Sequence, residues 1–434
     1  MSKFALVCFG NEESYGMLYA GTEFKKHGEI RFFDAEMTDP VDQIVEYAPD
    51  YLCFSPMTTF YPYAKAIENR VKQRTEVVSV YGGHHASNCG YDCGDITVVG
   101  SCFSLSLSGR GIIRTQPTIS KELRFPAREE YFRDIPRMRE RYRKVMLSVV
   151  GCPFHCTYCS SKHGKELLDH RDINDVMAEA EFIKNSTHEI EWVDDDVFAG
   201  NTAWLMDFYE QWQKRINLPM YVSTTSINAL KAPSDLLIKM RKSVNCIGMG
   251  VQAIRPSSLK LMGRSWDNKA QIKQAYDRLT AYGFKVNLQG IVGLPIEDPV
   301  EDALDTVDGL IEIGKGSICS VYPLQIYPNT AMQRYCLARG WRMNQHEGDT
   351  NSGLPGIDFG YTINNQLRNI CKLATMAVKF GVSKDWLRAM LDVDLSEASK
   401  DLSMIRYKEC VMERLPNNGS EVFDNITRTT NVRY

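Results

Sequence analysis

Three cysteines fall within eight residues and form the strongest chemical signal in the sequence. They are Cys152, Cys156 and Cys159, at the spacing C-x3-C-x2-C. Three thiolates on one loop suit an iron–sulfur cube in which one iron has no protein ligand and can bind a small molecule. The alternative is a zinc site made by the same cysteines and His163. A structural zinc site usually closes a small hairpin, whereas this loop leads into further βα units, so the pattern favours the cluster.

The cysteine loop follows the first of six strands predicted between residues 144 and 335. These strands cover residues 144–151, 189–195, 220–225, 246–252, 285–293 and 319–327. Helical patterns separate them, including residues 173–184, 204–215 and 269–282. Six βα units predict a partial (β/α)6 barrel, in which functional residues lie just after the strands.

Residues 1–105 also alternate short apolar strands with amphipathic helices. Strands are predicted at residues 4–10, 30–36, 51–56, 77–83 and 96–100. This alternation implies a parallel, doubly wound, Rossmann-like sheet that binds ligands at the carboxyl ends of its strands. Residues 106–143 are predicted to be a linker, and residues 336–434 a small helical domain with a polar tail. The expected fold class is therefore α/β, with three parts joined in that order.

The cysteine loop, with Tyr158 directly before the last cysteine, resembles the radical S-adenosylmethionine (SAM) superfamily. The resemblance implies a [4Fe–4S] cluster on the three cysteines, whose open iron binds the amino and carboxylate groups of SAM. An electron from the cluster would cleave SAM to a 5′-deoxyadenosyl radical, which abstracts hydrogen from a substrate carbon. Tyr158 is expected to pack near the cluster or the adenine.

Acidic residues after the second barrel strand resemble a segment of the cobalamin-associated branch of this family. Asp194 and Asp195 stand in that "DD" segment. Their carboxylates can accept hydrogen bonds from the ammonium group of SAM. The alternative is that these carboxylates are solvated and that Asp196 caps the following helix.

Three later strand ends match the same family piecemeal. Ser223 and Thr224 close the third strand and could bind ribose hydroxyls. Gln252 stands where the fourth-strand "GxES" segment has glutamate. Gly293 lies in a loop that resembles the adenine-side "GLPGE" loop, but Ile296 replaces its second glycine, so the chain must avoid a positive φ there.

Strand ends of the N-terminal region resemble those of cobalamin-binding domains. The likeness rests on Ser55 after the third strand and on Gly82, Gly83 and His84 after the fourth. Paired glycines let the backbone approach a flat macrocycle or a nucleotide tail. The resemblance implies cobalamin beside the cluster and SAM. The D-x-H-x-x-G motif is absent and Cys102 stands where an acidic segment is usual, so the alternative is a domain that kept the fold and lost the cofactor.

The resemblance leads to two catalytic hypotheses. The first is a cobalamin-dependent radical methyltransferase. The second is a cobalamin-independent enzyme that modifies a peptide, such as an epimerase of a ribosomally made peptide, in which a thiol returns a hydrogen atom. Cys336 and Cys371 are the candidate donors, and a role as small core side chains is the alternative for each. A non-catalytic zinc-knuckle protein is a third hypothesis.

The composition restricts the compartment and the partners. The chain has 434 residues, a formal net charge of −3 and 44% hydrophobic residues, which gives no electrostatic argument for nucleic acid. No apolar run reaches the ~18 residues that span a bilayer. The N-terminal apolar stretch is too short for a signal peptide, so we expect a cytoplasmic chain. Thirteen cysteines are many for that compartment, where structural disulfides are rare, so they indicate metal or redox chemistry. The expected partners are a small-molecule or peptide substrate and, by the resemblance, a flavodoxin- or ferredoxin-type electron donor.

Overall fold

The computed structural model describes residues 1–103, 107, 109–161, 169–344 and 354–393. Two six-stranded parallel sheets dominate these residues, with helices between successive strands. The predicted α/β fold class is confirmed. None of the described helices combines the length and hydropathy that are needed to cross a lipid bilayer.

The first sheet forms the N-terminal domain. Its strands are β1 (Ser2–Cys8), β2 (Gly28–Asp34), β3 (Tyr51–Phe54), β4 (Val78–Tyr81), β5 (Ile96–Val99) and β6 (Gly111–Arg114). Its helices are α1 (Tyr15–Phe24), α2 (Val41–Tyr47), α3 (Tyr61–Lys72) and α4 (Gly83–Cys89). The strand order β2-β1-β3-β4-β5-β6 reverses between β1 and β3, as in doubly wound folds.

Strand β6 lies in the residues that were predicted to be a linker. It pairs in parallel with β5, with Ile96 opposite Gly111 and Val99 opposite Arg114. Four residues that begin with glycine and end with arginine are too short an apolar run to be predicted as a strand from sequence. The Rossmann-like sheet therefore extends past residue 105.

Helices α5 (Arg128–Asp134) and α6 (Pro136–Arg139) connect the two sheets, and buried charges hold them in place. The fully buried Arg128 guanidinium donates to Glu13 at 2.9 Å and to Glu179 at 2.8 Å. Glu13 also accepts the backbone N–H of Val145, in the second sheet, at 2.8 Å. One buried network thus ties the N-terminal domain to the barrel.

The second sheet is the partial barrel. Its strands are β7 (Arg143–Met146), β8 (Glu189–Trp192), β9 (Met220–Thr225), β10 (Val244–Gln252), β11 (Lys285–Val292) and β12 (Ile318–Pro323). Its helices are α7 (Ile173–Ile183), α8 (Thr202–Arg215), α9 (Ser226–Lys231), α10 (Ser234–Met240), α11 (Pro256–Leu261), α12 (Lys269–Ala281) and α13 (Pro299–Gly314). The strands lie in chain order from β7 to β12, so the sheet stays open between its first and last strands. All six predicted strands are present.

The C-terminal helices are α14 (Ala331–Ala338), α15 (Tyr361–Phe380) and α16 (Lys384–Ala389). Helix α15 packs against β12 and α13 through a fully buried face that includes Leu367 and Ile370. Gly381 ends α15 in the left-handed region at φ 66°, and Ser383 accepts the N–H of Trp386 to cap α16. The predicted polar tail lies outside the described residues.

Candidate functional site

A cavity of about 550 Å³ lies between the N-terminal domain and the barrel. Its walls come from the carboxyl ends of strands in both sheets, where α/β proteins bind ligands. The N-terminal domain contributes Met57, Thr58, His84 and Asn88. The barrel contributes Tyr158, Cys159, Ser160 and Ser161 from the cysteine loop, Gln252, Gln289, Gly290 and Ile291 from β10 and β11, and Tyr322, Pro323, Leu324, Gln325, Tyr327 and Pro328 from β12 and the residues after it.

The cysteine loop is held against the end of α11. Thr157 donates its backbone N–H to Met262 at 3.0 Å and its hydroxyl to the Leu261 carbonyl at 2.8 Å. Gly263 follows at φ 71°, and a Cβ there would lie 3.0 Å from the carbonyl oxygen of His155. The positive φ favours glycine, and the close approach leaves little room for a Cβ at this position.

Arg264 places a fixed positive charge beside the cysteine loop. One of its terminal nitrogens lies 3.9 Å from the sulfur of Cys156, and the other donates to the carbonyl oxygen of Gly250 at 2.7 Å and to Asp267 at 2.9 Å. Its guanidinium also lies over the Trp266 ring, 4.4 Å from the centroid. A guanidinium in this position stabilises negative sulfur ligands. No spacing in the sequence had singled it out.

The three loop cysteines are half-buried thiols. Burial raises the pKa of Cys152 to about 12 and also raises the pKa of Cys159, so a metal must displace the proton. His163 of the zinc alternative lies outside the described residues.

Asp194 joins the end of β8 to the start of the cysteine loop. One carboxylate oxygen accepts the backbone N–H groups of Ser148 at 2.7 Å and Val149 at 3.1 Å, and the other accepts the Ser148 hydroxyl at 2.5 Å. These bonds replace a strand ladder, which explains why β7 ends at Met146, before the predicted residue 151. Burial raises the pKa of Asp194 to about 6. Its described contacts position the loop, and it does not line the cavity.

Asp195 and Asp196 fasten neighbouring segments. Asp195 accepts the hydroxyl of Ser161, at the far end of the cysteine loop, at 2.9 Å. Asp196 accepts the Thr224 hydroxyl at 2.9 Å and the backbone N–H of Thr225 at 2.9 Å. The suggestion that Asp196 caps the next helix is wrong. The helix α8 is capped instead by Asn201, five residues later, because a loop separates Asp196 from its first turn.

The predicted residues of β9, β10 and β11 divide into two groups. Gln252 lines the cavity at an unusual φ of 69°. Ser223, Thr224 and Gly293 do not line it, and the buried Thr224 hydroxyl is used by Asp196. Gly293 has φ 78°, whereas Ile296 keeps out of the positive-φ region, as predicted.

Of the residues predicted to bind cobalamin, His84 lines the cavity. Gly83 has φ 77°, which favours glycine, and a Cβ there would lie 2.3 Å from the Ser55 hydroxyl oxygen, so Ser55 would have to rotate away. A Cβ on Gly82 would meet nothing within 4 Å. The backbone at Gly82 is therefore open to a ligand, while Ser55 and Gly83 shape the turn behind it.

Sequence reasoning missed several wall residues. Asn88 donates to the carbonyl oxygen of Ser160 at 3.5 Å and its own carbonyl accepts from Asn329, so it bridges the two domains across the cavity. Gln289 donates to the Tyr221 hydroxyl at 3.1 Å. Thr58 could have been predicted as a cavity residue because it follows strand β3, but no pattern in the sequence predicts that Asn88 lines the cavity.

The two candidate hydrogen donors lie away from the cavity wall. Cys336 is fully buried in a cluster of apolar residues around α14, and burial raises its pKa to about 11. Cys371 packs in α15 against the main core, and burial raises its pKa to about 12. Neither lines the cavity, so both positions fit the core alternative.

Part of the chain is similar in sequence to known proteins. Residues 146–308 match the family model described as the radical SAM superfamily. A hopanoid C-2 methylase of Rhodopseudomonas palustris (strain TIE-1) is 24% identical over 46% of this chain. The match covers 37% of the methylase, so the chain aligns with about a third of that relative's length.

Two solved structures share the fold. The cobalamin-dependent SAM radical enzyme OxsB, with aqua-cobalamin bound, matches 95% of this chain and 75% of its own, at a TM-score of 0.65 and 13% identity. The radical SAM methyltransferase TsrM from Kitasatospora setae, with tryptophan and a SAM analogue bound, matches 79% of this chain and 78% of its own. Its TM-score is 0.61 and its sequence identity is 15%. Both matches confirm the predicted α/β fold class.

Proposed function

We propose that this chain, in which residues 146–308 match the radical SAM superfamily, is a cobalamin-dependent radical SAM methyltransferase acting on a small molecule. The observation that supports this most is that one cavity is lined by both the cysteine loop and the strand ends of the N-terminal domain. A methyl donor on one side and the cluster on the other would then reach one substrate. The related methylase and the two fold relatives support the same function.

The cysteine loop fits a [4Fe–4S] cluster. Cys152, Cys156 and Cys159 would hold it, and Arg264 would stabilise its negative charge from 3.9 Å. When bound, the cluster supplies an electron to SAM, and cobalamin supplies the methyl group. Asp194 and the end of α11 hold the loop in place before any cofactor arrives.

SAM fits over the ends of β10 and β11. Gln252 offers an amide to its polar groups, and Gly290 forms part of the wall without a side chain. Tyr158 faces the same space and is the residue placed to pack near the cluster or the adenine. We retain Asp195, Ser223, Thr224 and Gly293 as more distant candidates that hold the backbone of this edge.

Cobalamin would lie against the N-terminal wall. The open backbone at Gly82 leaves room for a flat ring, and Thr58, His84 and Asn88 offer polar contacts. The substrate would enter between this wall and the residues after β12, where Tyr322 and Tyr327 line the cavity. We further propose a flavodoxin- or ferredoxin-type electron donor. We also propose a reducing compartment such as the cytoplasm, which suits a cluster held by cysteine thiolates.

The first test is anaerobic reconstitution with iron, sulfide and hydroxocobalamin, followed by desalting and metal analysis. We expect four irons and one cobalt per chain, with 5′-deoxyadenosine and S-adenosylhomocysteine formed from SAM under reduction. Cys156→Ala should lose the iron and both products, while the control Cys102→Ser, outside the cysteine loop, should keep them. A Cys156→Ala protein with a full cluster contradicts the cluster assignment.

Iron without cobalt would instead favour the cobalamin-independent, peptide-modifying function. If that alternative holds, the enzyme needs a thiol donor, and replacing the donor, Cys336 or Cys371, by alanine should abolish product while SAM cleavage continues. Under the proposed methyltransferase function we expect both variants to keep full turnover, because neither sulfur lines the cavity.

A further inference from the structure

A second group of metal-ligating side chains lies in the N-terminal domain, apart from the cysteine loop. His85, Cys89 and Cys93 bring a ring nitrogen and two sulfurs within 4.8 Å of one another. His85 and Cys89 are four residues apart on α4 and so share one helix face. Gly90 then turns the chain at φ 77°, which returns Cys93 to that face with its sulfur 3.3 Å from that of Cys89.

We propose that these three side chains bind one Zn²⁺ ion, with the fourth tetrahedral position open to water. Two thiolates and one imidazole are ligands that zinc prefers. Zinc–sulfur bonds of 2.3 Å at the tetrahedral angle separate two sulfurs by about 3.8 Å, so a small side-chain rotation accommodates the ion. His85 is 3% exposed and Cys93 1%, whereas Cys89 is half-buried, so the site has a closed side and an accessible side.

The neighbours of His85 already hold its ring as metal-bound histidines are held. The Thr58 hydroxyl lies 3.3 Å from Nδ1 and the Tyr91 hydroxyl 3.1 Å from Nε2, while the Tyr61 ring stacks at 4.2 Å. Whichever nitrogen binds the ion, the other keeps a hydroxyl partner.

The ion would stabilise one wall of the cavity. Helix α4 carries His84 and Asn88 to that wall, and Thr58, the partner of His85, lines it as well. A zinc ion that fixes the end of α4 to Cys93 would hold these three residues in position. The inference does not depend on the radical chemistry, because none of its ligands belongs to the cysteine loop.

The test uses the full chain with Cys152, Cys156 and Cys159 replaced by alanine, which removes the competing thiols. After chelator treatment and reduction, we expect titration to give one Zn²⁺ per chain, a higher Tm with zinc, and with Co²⁺ the visible absorption of a tetrahedral thiolate complex. Cys89→Ser and Cys93→Ser should each weaken zinc binding at least tenfold. Cys89→Ser is at a partly exposed position, and circular dichroism checks that it folds.

The matched control is Cys102→Ser, a half-buried cysteine outside the group, which should still bind one zinc. Failure to bind zinc, or unchanged binding in both Cys89→Ser and Cys93→Ser, overturns the proposal. The proposal is also overturned if the protein is isolated with a Cys89–Cys93 disulfide and still binds no zinc after that disulfide is reduced. Since this background carries no cluster thiols, either result leaves the proposed methyltransferase function untouched.

Discussion

The guanidinium of Arg264 lies 3.9 Å from the sulfur of Cys156. The same side chain reaches the carbonyl oxygen of Gly250, near the end of β10, and forms a buried ion pair with Asp267. One residue therefore connects the cysteine loop, a barrel strand and the start of α12. Arg264 therefore supplies a buried positive charge beside the loop, in addition to the contacts of Asp194 and α11 that hold the loop in place.

Arg264→Ala should lower the free energy of unfolding by about 3–5 kcal/mol, because it leaves Asp267 buried without its ion-pair partner. Urea unfolding of the cluster-free chain measures this. Arg215→Ala, in an exposed ion pair with Glu181, is the control and should change little. Arg264→Lys should keep iron better than Arg264→Ala because it keeps the charge. An Arg264→Ala chain as stable as the parent would contradict the buried pair.

Gln252→Gly should stabilise the chain while weakening SAM binding. Gln252 has φ 69°, where a non-glycine residue is strained by about 1 kcal/mol or more. Glycine relieves the strain but removes an amide from the cavity, and one lost hydrogen bond corresponds to about tenfold in Kd. Thermal unfolding and SAM titration measure the two effects. Ala48→Gly, at φ 48° on an exposed turn outside the cavity, should stabilise without changing SAM binding.

Glu13→Ala should uncouple the two domains. Glu13 accepts hydrogen bonds from the Arg128 guanidinium and from the backbone N–H of Val145. Its removal leaves both of these buried hydrogen bonds unmade, which should lower the free energy of unfolding by about 3–5 kcal/mol. When urea unfolding is monitored by fluorescence and by circular dichroism, we expect the single transition to separate into two. Glu210→Ala, at an exposed helix position, should leave the transition unchanged. One unshifted transition in Glu13→Ala would show that the network does not join the domains.

Asp194 should give the cluster-free chain a pH-dependent stability. Burial raises its pKa to about 6 from an unfolded value near 4, so the folded state binds more protons in that interval. Its contribution is fully present below pH 4 and is lost as pH rises through 6, by about 3 kcal/mol.

Urea unfolding from pH 4 to 7 measures that slope. Asp194→Asn should reduce it, because an amide can still accept from the backbone of Ser148 and donate to its hydroxyl without titrating. Asp207→Asn, at an exposed position of α8, is the control. An equal slope in Asp194→Asn would assign the titration to another group.

The sequence by itself determined the elements and the cysteine loop. Alternating apolar strands and amphipathic helices are local patterns, so both parallel sheets and the caps at Gly381 and Ser383 could be predicted. The spacing of Cys152, Cys156 and Cys159 is equally local. The short strand β6 was missed because its four residues carry little pattern and it forms through pairing with β5.

Only the tertiary structure decided which residues meet. Arg264 reaches Cys156 across 108 positions and Asn329 reaches Asn88 across 241, and no local pattern encodes such contacts. The tertiary structure also showed that Gln252 and His84 line the cavity, whereas Cys336 and Cys371 do not. The sequence had offered all four as candidate site residues. The physical reason is that strand ends far apart in the chain converge at one sheet edge, while burial decides whether a thiol is a ligand, a donor or part of the core.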